Sequence, residues 1–245
     1  MEKEEIIYGA HSVIEALKSE KSIEKIILNK GQRNEFYEEI TQLAKEQQVK
    51  VSFVPQVKFR KYENLNHQEI IAFTSPVKFA DFETIIESIL SKKESVLFLV
   101  LDGVTDVRNL GSIIRTAECT GVDAIILPKN NSAGVNKDTV KTSAGAIFKI
   151  PICKVDHVHD ALFYFQSSGI QLIAATEKTD NYIYNQEVNA KVALVMGDEN
   201  KGISNATLKQ VDAKVKLPLL GSIESLNVSV ACGAMLYEIV RRKTQ

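Results

Sequence analysis

Four continuous apolar runs constrain this chain most. Val96–Leu101 (VLFLVL), Ala124–Leu127 (AIIL), Gln171–Ala174 (QLIA) and Val192–Met196 (VALVM) show no alternation of polar and apolar residues. A strand with one wet face must alternate, so such runs suit strands covered on both faces, the habit of parallel sheets lying between helices. Between them stand helical stretches: Leu110–Thr120 with Gly121 as its stop, Val158–Ser168, and Ile203–Gln210. This alternation predicts an α/β domain with a mainly parallel sheet, in which ligands bind at the carboxyl ends of the strands.

The first 75 residues read as a smaller α/β unit. Gly9–Leu17 spaces Val13, Ile14 and Leu17 as a helix does, with Ser12 as candidate N-cap. Ile23–Leu28 reads as a strand, Asn34–Gln48 as a second helix with Phe36, Ile40, Leu43 and Ala44 on one face, and Val49–Val54 as a strand stopped by Pro55. Glu69–Phe73 is a further strand, and a third helix is expected before it. Residues 76–94, with Pro76, a short helix around Phe82–Leu90 and a charged cluster at Lys92–Glu94, read as a connector. The expected organisation is therefore 1–75, a linker over 76–94, and 95–245.

Composition narrows the class. The 245 residues are 44% hydrophobic and 25% charged, which excludes disordered and fibrous classes. The longest apolar run is too short to span a membrane, and the charged opening is unlike a secretory signal. Cys119, Cys153 and Cys232 form no CxxC pair, and His157 and His159 lack ligand spacing, so neither a disulfide framework nor a metal site is expected. A cytoplasmic protein is the expectation. Thirty basic residues against 31 acidic ones argue against binding nucleic acid by bulk charge, but leave room for a local basic pocket.

Three loops at strand ends carry the candidate chemistry. The first runs Asp102-Gly103-Val104-Thr105-Asp106-Val107-Arg108-Asn109-Leu110-Gly111 and leads to Arg115. Asn109 reads as the N-cap of the following helix, and Arg115 reads from spacing as a surface residue paired with Glu118 or as a functional cation. The second runs Gly197-Asp198-Glu199-Asn200-Lys201-Gly202-Ile203-Ser204. Its glycines invite comparison with a phosphate loop, but Lys and Ser/Thr should follow the second glycine and Ile203 stands there. No G-x-G occurs anywhere, so the dinucleotide fingerprint is also missing. The third runs from Leu217 through Ser225 and Asn227 into a helix reaching about Arg241, with Val228, Ala231, Met235 and Ile239 on one face. Ser225 and Asn227 read equally well as helix caps or as site residues.

Taken in order, LDGVTDVRNLGSIIRTA (Leu101–Ala117), ALVMGDENKGIS (Ala193–Ser204) and LPLLGSIESLNVSVACGAMLYE (Leu217–Glu238) resemble the three motifs of the SpoU, or TrmH-type, RNA ribose 2′-O-methyltransferases of the SPOUT class. Tyr8–Leu17 and KTSAGA at Lys141–Ala146 are similar to the RlmB-like branch, which methylates a guanosine of 23S ribosomal RNA. Val107 stands where many members carry proline. The resemblance implies an α/β knot, a trefoil made by the chain after Leu217, joined to an N-terminal RNA-binding unit of ribosomal-protein L30e type. It implies S-adenosylmethionine as methyl donor, held at Ala175, Thr176, Gly197, Leu217 and Leu226, and a homodimer with the helix after Asn227 at its interface.

The same resemblance implies catalytic roles for Arg115, Asn109, Glu199, Ser225 and Asn227. Arginine holds its proton too tightly for an easy general base, with a pKa of about 12 or above. The expectation is that Arg115 clamps the target phosphate and stabilises the developing alkoxide, oriented by Asn109, while Glu199 organises the same corner and Ser225 and Asn227 position ribose or donor. Alternatives are the same chemistry on transfer RNA or another ribosomal site, and an inactive RNA-binding protein. Residues 1–75 hold 11 basic against 12 acidic residues, so RNA selection must rest on local patches such as Lys58, Arg60 and Lys61, or Arg108 and Arg115.

Overall fold

The structure is a computed structural model that describes residues 6–19, 21–31, 35–47, 49–199, 201–222 and 225–244. Two compact units are present: Met1–Lys78 together with Val135–Lys137, and Phe79–Gly134 together with Asp138–Gln245.

In the first unit, β1 (Ile6–Tyr8), β2 (Ile23–Asn29), β3 (Lys50–Val54) and β4 (Ile70–Thr74) form a mixed sheet in the order β1-β4-β2-β3. β2 and β3 are parallel, while β4 runs antiparallel to both β1 and β2. The helices α1 (Ala10–Lys18) and α2 (Phe36–Glu46) bury Val13, Leu17 and Ile40 against Ile26, Leu28 and Ile70. Two expectations are corrected. α1 starts after Gly9, whose φ of 82° few other residues adopt, and the Gln68 side chain accepts from the Ala10 amide, so Ser12 lies inside the helix. The third helix is a 3₁₀ helix, Gln56–Tyr62, which buries Phe59 and Tyr62 with Ile71 of β4. β1, three residues long, carried no sequence signal.

The second unit is built on six parallel strands. β5 (Val96–Asp102), β6 (Ala124–Pro128), β7 (Ile152–Val155), β8 (Gln171–Ala175), β9 (Lys191–Gly197) and β10 (Ala213–Val215) lie in the order β10-β8-β9-β5-β6-β7. Every neighbouring pair is parallel. The four apolar runs occupy the four inner strands, and β5 is buried from Val96 through Leu101. The edges β7 and β10 were not foreseen, being short and carrying Lys154 and Lys214.

Helix α3 (Phe82–Leu90) places Ile86 in the core of this second unit, so the segment read as a connector contributes one of its packed helices. With it pack α6 (Val158–Ser167) and α7 (Asn205–Gln210), and Phe165 of α6 stacks on Phe98 of β5 with ring centroids 5.0 Å apart. Also present are α4 (Val107–Cys119), the short α5 (Lys137–Thr142), and α8 (Val228–Lys243), which packs on α4 and β9. The chain places β9 between β5 and β8, so the strand order reverses there, and a crevice opens at the carboxyl ends on that side. No helix among the described residues is long and apolar enough to cross a membrane.

Candidate active site

The three loops flagged in the sequence follow β5, β9 and β10, and two of the three strands, β5 and β9, are adjacent. Asp106, not Asn109, caps α4: its carboxylate accepts from the Asn109 amide at 2.8 Å. Asn109 therefore sits in the first turn with its side chain free for other partners. Its Nδ2 donates to Glu199 Oε2 at 3.1 Å, and its Oδ1 accepts from Asn227 Nδ2 at 3.0 Å. Asn227 Nδ2 also donates to Glu199 Oε1 at 3.1 Å, which closes a triangle across all three loops. The other end of the Asn227 amide caps α8, with Oδ1 accepting from the Ser229 amide at 3.0 Å. Cap and site residue are therefore the same side chain: the cap fixes the rotamer that aims Nδ2 at Glu199.

The loop after β9 owes its shape to two glycines. A Cβ on Gly197 would overlap the backbone of Gly202 and Ile203, so this residue permits the chain to fold back directly onto the strand end. Gly202 makes the return at φ 67°, and the two sides pair through Asp198 and Gly202. Asp102, at the end of β5, then clasps the loop's exit, accepting from the Ser204 amide at 3.2 Å and Thr207 Oγ1 at 2.9 Å. Sequence reasoning missed Asp102 and Asp106, although Asp106 stands three residues before Asn109, the spacing of a side-chain cap.

Behind the triangle opens a cavity of about 300 Å³. Ala175, Thr176, Gly197, Leu217 and Leu226, the five positions singled out for a donor, all line it, as do Glu199 and Ser225. Val228, Ala231 and Met235, read from sequence as a packing face of the last helix, form part of the same wall. Glu177, Asp198, Lys178 and Lys201 add charge of both signs. Among the described residues, 217–222 and 225–226 form no main-chain hydrogen bond with one another or with the rest of the chain.

Arg115 is not drawn into this corner. Six residues beyond Asn109 it stands about 9 Å along α4 and about 120° around it, exposed and without an ion pair among the described residues. Glu118, its partner in the plainest reading of the sequence, pairs instead with Lys149 at 3.5 Å. Cys153 and Cys232 are buried thiols pushed up to about 12 by desolvation, which removes them as nucleophiles. No cluster of three metal-binding side chains occurs among the described residues.

Residues 96–237 match the family model described as the SpoU rRNA methylase family. The chain belongs to the SpoU rRNA methylase family. A second model, RNA 2′-O ribose methyltransferase substrate binding, matches residues 6–80, the first unit. A Staphylococcus aureus relative, whose name places it among TrmH-family tRNA/rRNA methyltransferases, is 35% identical over 239 residues, spanning 97% of this chain and 96% of the relative. Among solved structures, the SpoU methyltransferase AviRb of Streptomyces viridochromogenes, in complex with AdoMet, shares the fold with a TM-score of 0.62 at 23% identity, covering 98% of this chain and 90% of that one. The A. aeolicus TrmH/SpoU tRNA modifying enzyme matches with a TM-score of 0.56 at 26% identity, over 66% of this chain and 84% of its own. This SpoU member is thus an RNA methyltransferase whose three motif loops meet at one end of a parallel sheet.

Proposed function

We propose that this chain transfers a methyl group from S-adenosylmethionine to a ribose 2′-hydroxyl of ribosomal RNA in the cytoplasm, with a guanosine of 23S rRNA as target. The observation that carries the reading is the Asn109–Glu199–Asn227 triangle at the rim of a cavity walled by the five donor positions. S-adenosylmethionine supplies a methyl group on a positively charged sulfur, open to in-line attack.

The wall suits that molecule. Leu217, Leu226 and Ile203 offer apolar surface to an adenine, main-chain groups of residues 217–222 and 225–226 can bond its polar edge, and Glu177, Asp198 and Glu199 complement the sulfonium. Lys178 and Lys201 stand at the same cavity for the carboxylate end.

The protein's own work is placement. A ribose hydroxyl is a weak nucleophile, and well-oriented reactants can gain roughly 7–11 kcal/mol of barrier from positioning. Glu199, held by two amide donors, fixes the rim, and Ser225 and Asn227 position the ribose beside it. Arg115 clamps the target phosphate and stabilises the developing alkoxide. Because Arg115 is exposed and does not line its own cavity, the reading includes a homodimer through α8 in which that guanidinium meets the second copy's site. A trefoil path after Leu217 belongs to the same reading.

Arg115→Ala should abolish methyl transfer while donor affinity changes no more than a few-fold; retained turnover refutes the assignment. Mapping ribose methylation in ribosomal and transfer RNA from cells lacking the protein tests the substrate. Transfer RNA is the second reading, favoured by the names of the relatives, and loss of a transfer RNA site alone would select it.

A further inference from the structure

Helix α4 is gripped on two flanks. On one, Asn109 bonds Asn227, and Gly233 of α8 packs beside Thr116. On the other, Gly111 lies so close to α5 that a Cβ there would overlap Thr142 Oγ1 and fall 2.7 Å from Thr142 Cβ, and Glu118 pairs with Lys149. At 100° per residue, Arg108, Ser112, Arg115 and Cys119 form the stripe left open between the flanks. Arg108, Arg115 and, at the end of α5, Lys141 are exposed and make no ion pair among the described residues.

Beside this stripe an aromatic ring is held out by a rigid turn. After α5 the chain passes through Ala144 at φ 49° and Gly145 at φ 81°. A left-handed alanine costs energy and persists only where its surroundings enforce it. Here Ala144 N–H donates to Lys141 O at 3.1 Å, Gly145 N–H to Val140 O at 3.2 Å and Ala146 N–H to Ser143 O at 3.0 Å. The turn then buries Ala146 and Ile147 against the unit and leaves the next residue, Phe148, 61% exposed, one position before the Lys149 that pairs with α4.

We propose that Phe148 is a stacking platform for an unpaired base of the substrate RNA, with Arg108, Arg115 and Lys141 as the phosphate contacts that lead the strand past it. This rests on the RNA methyl-transfer reading and deepens it. Two unpaired arginines on one stripe of α4, with Lys141 and an exposed ring on the segment packed against its flank, offer what a single strand requires: charge for its backbone and a flat apolar surface for a base, sequence-tolerant because every base has a π face.

The chain contains no tryptophan, so Phe148→Trp installs a unique fluorophore. A short single-stranded oligoadenylate should quench it, and inorganic polyphosphate, which has charge without bases, should not. No quenching by oligoadenylate, or equal quenching by both, overturns the proposal.

With protein-free ribosomal RNA and a labelled donor, Phe148→Ala should raise KM for RNA about tenfold with kcat nearly unchanged, and Phe148→Tyr should restore it. An unchanged KM in Phe148→Ala, or loss of a dimer in place of RNA affinity, refutes the platform in favour of a bland or copy-contacting ring. A wild-type chain that methylates no RNA overturns the underlying reading, while the quenching pair still decides the platform.

Discussion

Asn227→Asp separates the two jobs of one side chain. The variant keeps an oxygen to cap α8, and a carboxylate at a helix N-terminus is favoured by the helix dipole. It replaces the Nδ2 donor, 3.1 Å from Glu199 Oε1 and 3.0 Å from Asn109 Oδ1, with an oxygen. Two attractive contacts become repulsive. Two unit charges 3.1 Å apart repel by about 1.3 kcal/mol at the screening of bulk water and about 5 kcal/mol at the effective dielectric near a protein surface. Both side chains are exposed, so about 1–3 kcal/mol is expected at pH 7, roughly 2–12 °C in Tm for a chain of this size. Like charges favour uptake of a proton by one partner, so the deficit should be full at neutral pH and shrink as the pH falls into the carboxylate range. Thermal melts from pH 4 to 8, beside methyl transfer at pH 7, make the test: the variant should lose transfer and melt like wild type only in acid. A loss of stability independent of pH, or retained turnover, would refute the triangle as the organiser of the site.

Other expectations follow from the same geometry. Gly111→Ala should destabilise by about 1–2 kcal/mol, because overpacking against Thr142 outweighs the roughly 1 kcal/mol helix gain, and Thr142→Ala should recover part of it; a higher Tm for the single variant contradicts the close approach. Val107 opens α4 at the position where proline is best tolerated, so Val107→Pro should add about 0.4–1 kcal/mol in a denaturant melt, and a loss would mean that the Val107 side chain matters more than chain entropy. Glu238 is held at about 2 by hydrogen bonds from Arg241, then Arg242, against an ordinary value of 4.5. A depressed carboxylate stabilises above its unfolded pKa and loses that stabilisation as pH falls towards the folded one, so the advantage of wild type over Glu238→Gln should be constant above about pH 4.5 and fade towards pH 2. The shift alone corresponds to about 3 kcal/mol, but Arg241 is half exposed and screening reduces the expected difference to about 1–2 kcal/mol.

The class of the fold was legible in the residue order, and so were the loops that form the candidate site. Unbroken apolar runs can be satisfied only by strands covered on both faces, and each became an inner strand of the parallel sheet. Ligands bind at the carboxyl ends of such strands, and two of the three motif loops follow the inner strands β5 and β9, while the third follows the edge strand β10. Short elements escaped, because β1, β7 and β10 are edge strands of three or four residues whose pairing is decided by neighbours distant in sequence.

Tertiary packing settled which oxygen caps which helix. Asp106 takes the cap that spacing gave to Asn109, and the freed amide joins Glu199 and Asn227, 90 and 118 residues away. It likewise turned Arg115 out of the corner and gave Glu118 to Lys149. Periodicity reports which face of an element is apolar; which polar groups meet across loops depends on how the sheet brings strand ends together, and no local pattern encodes that.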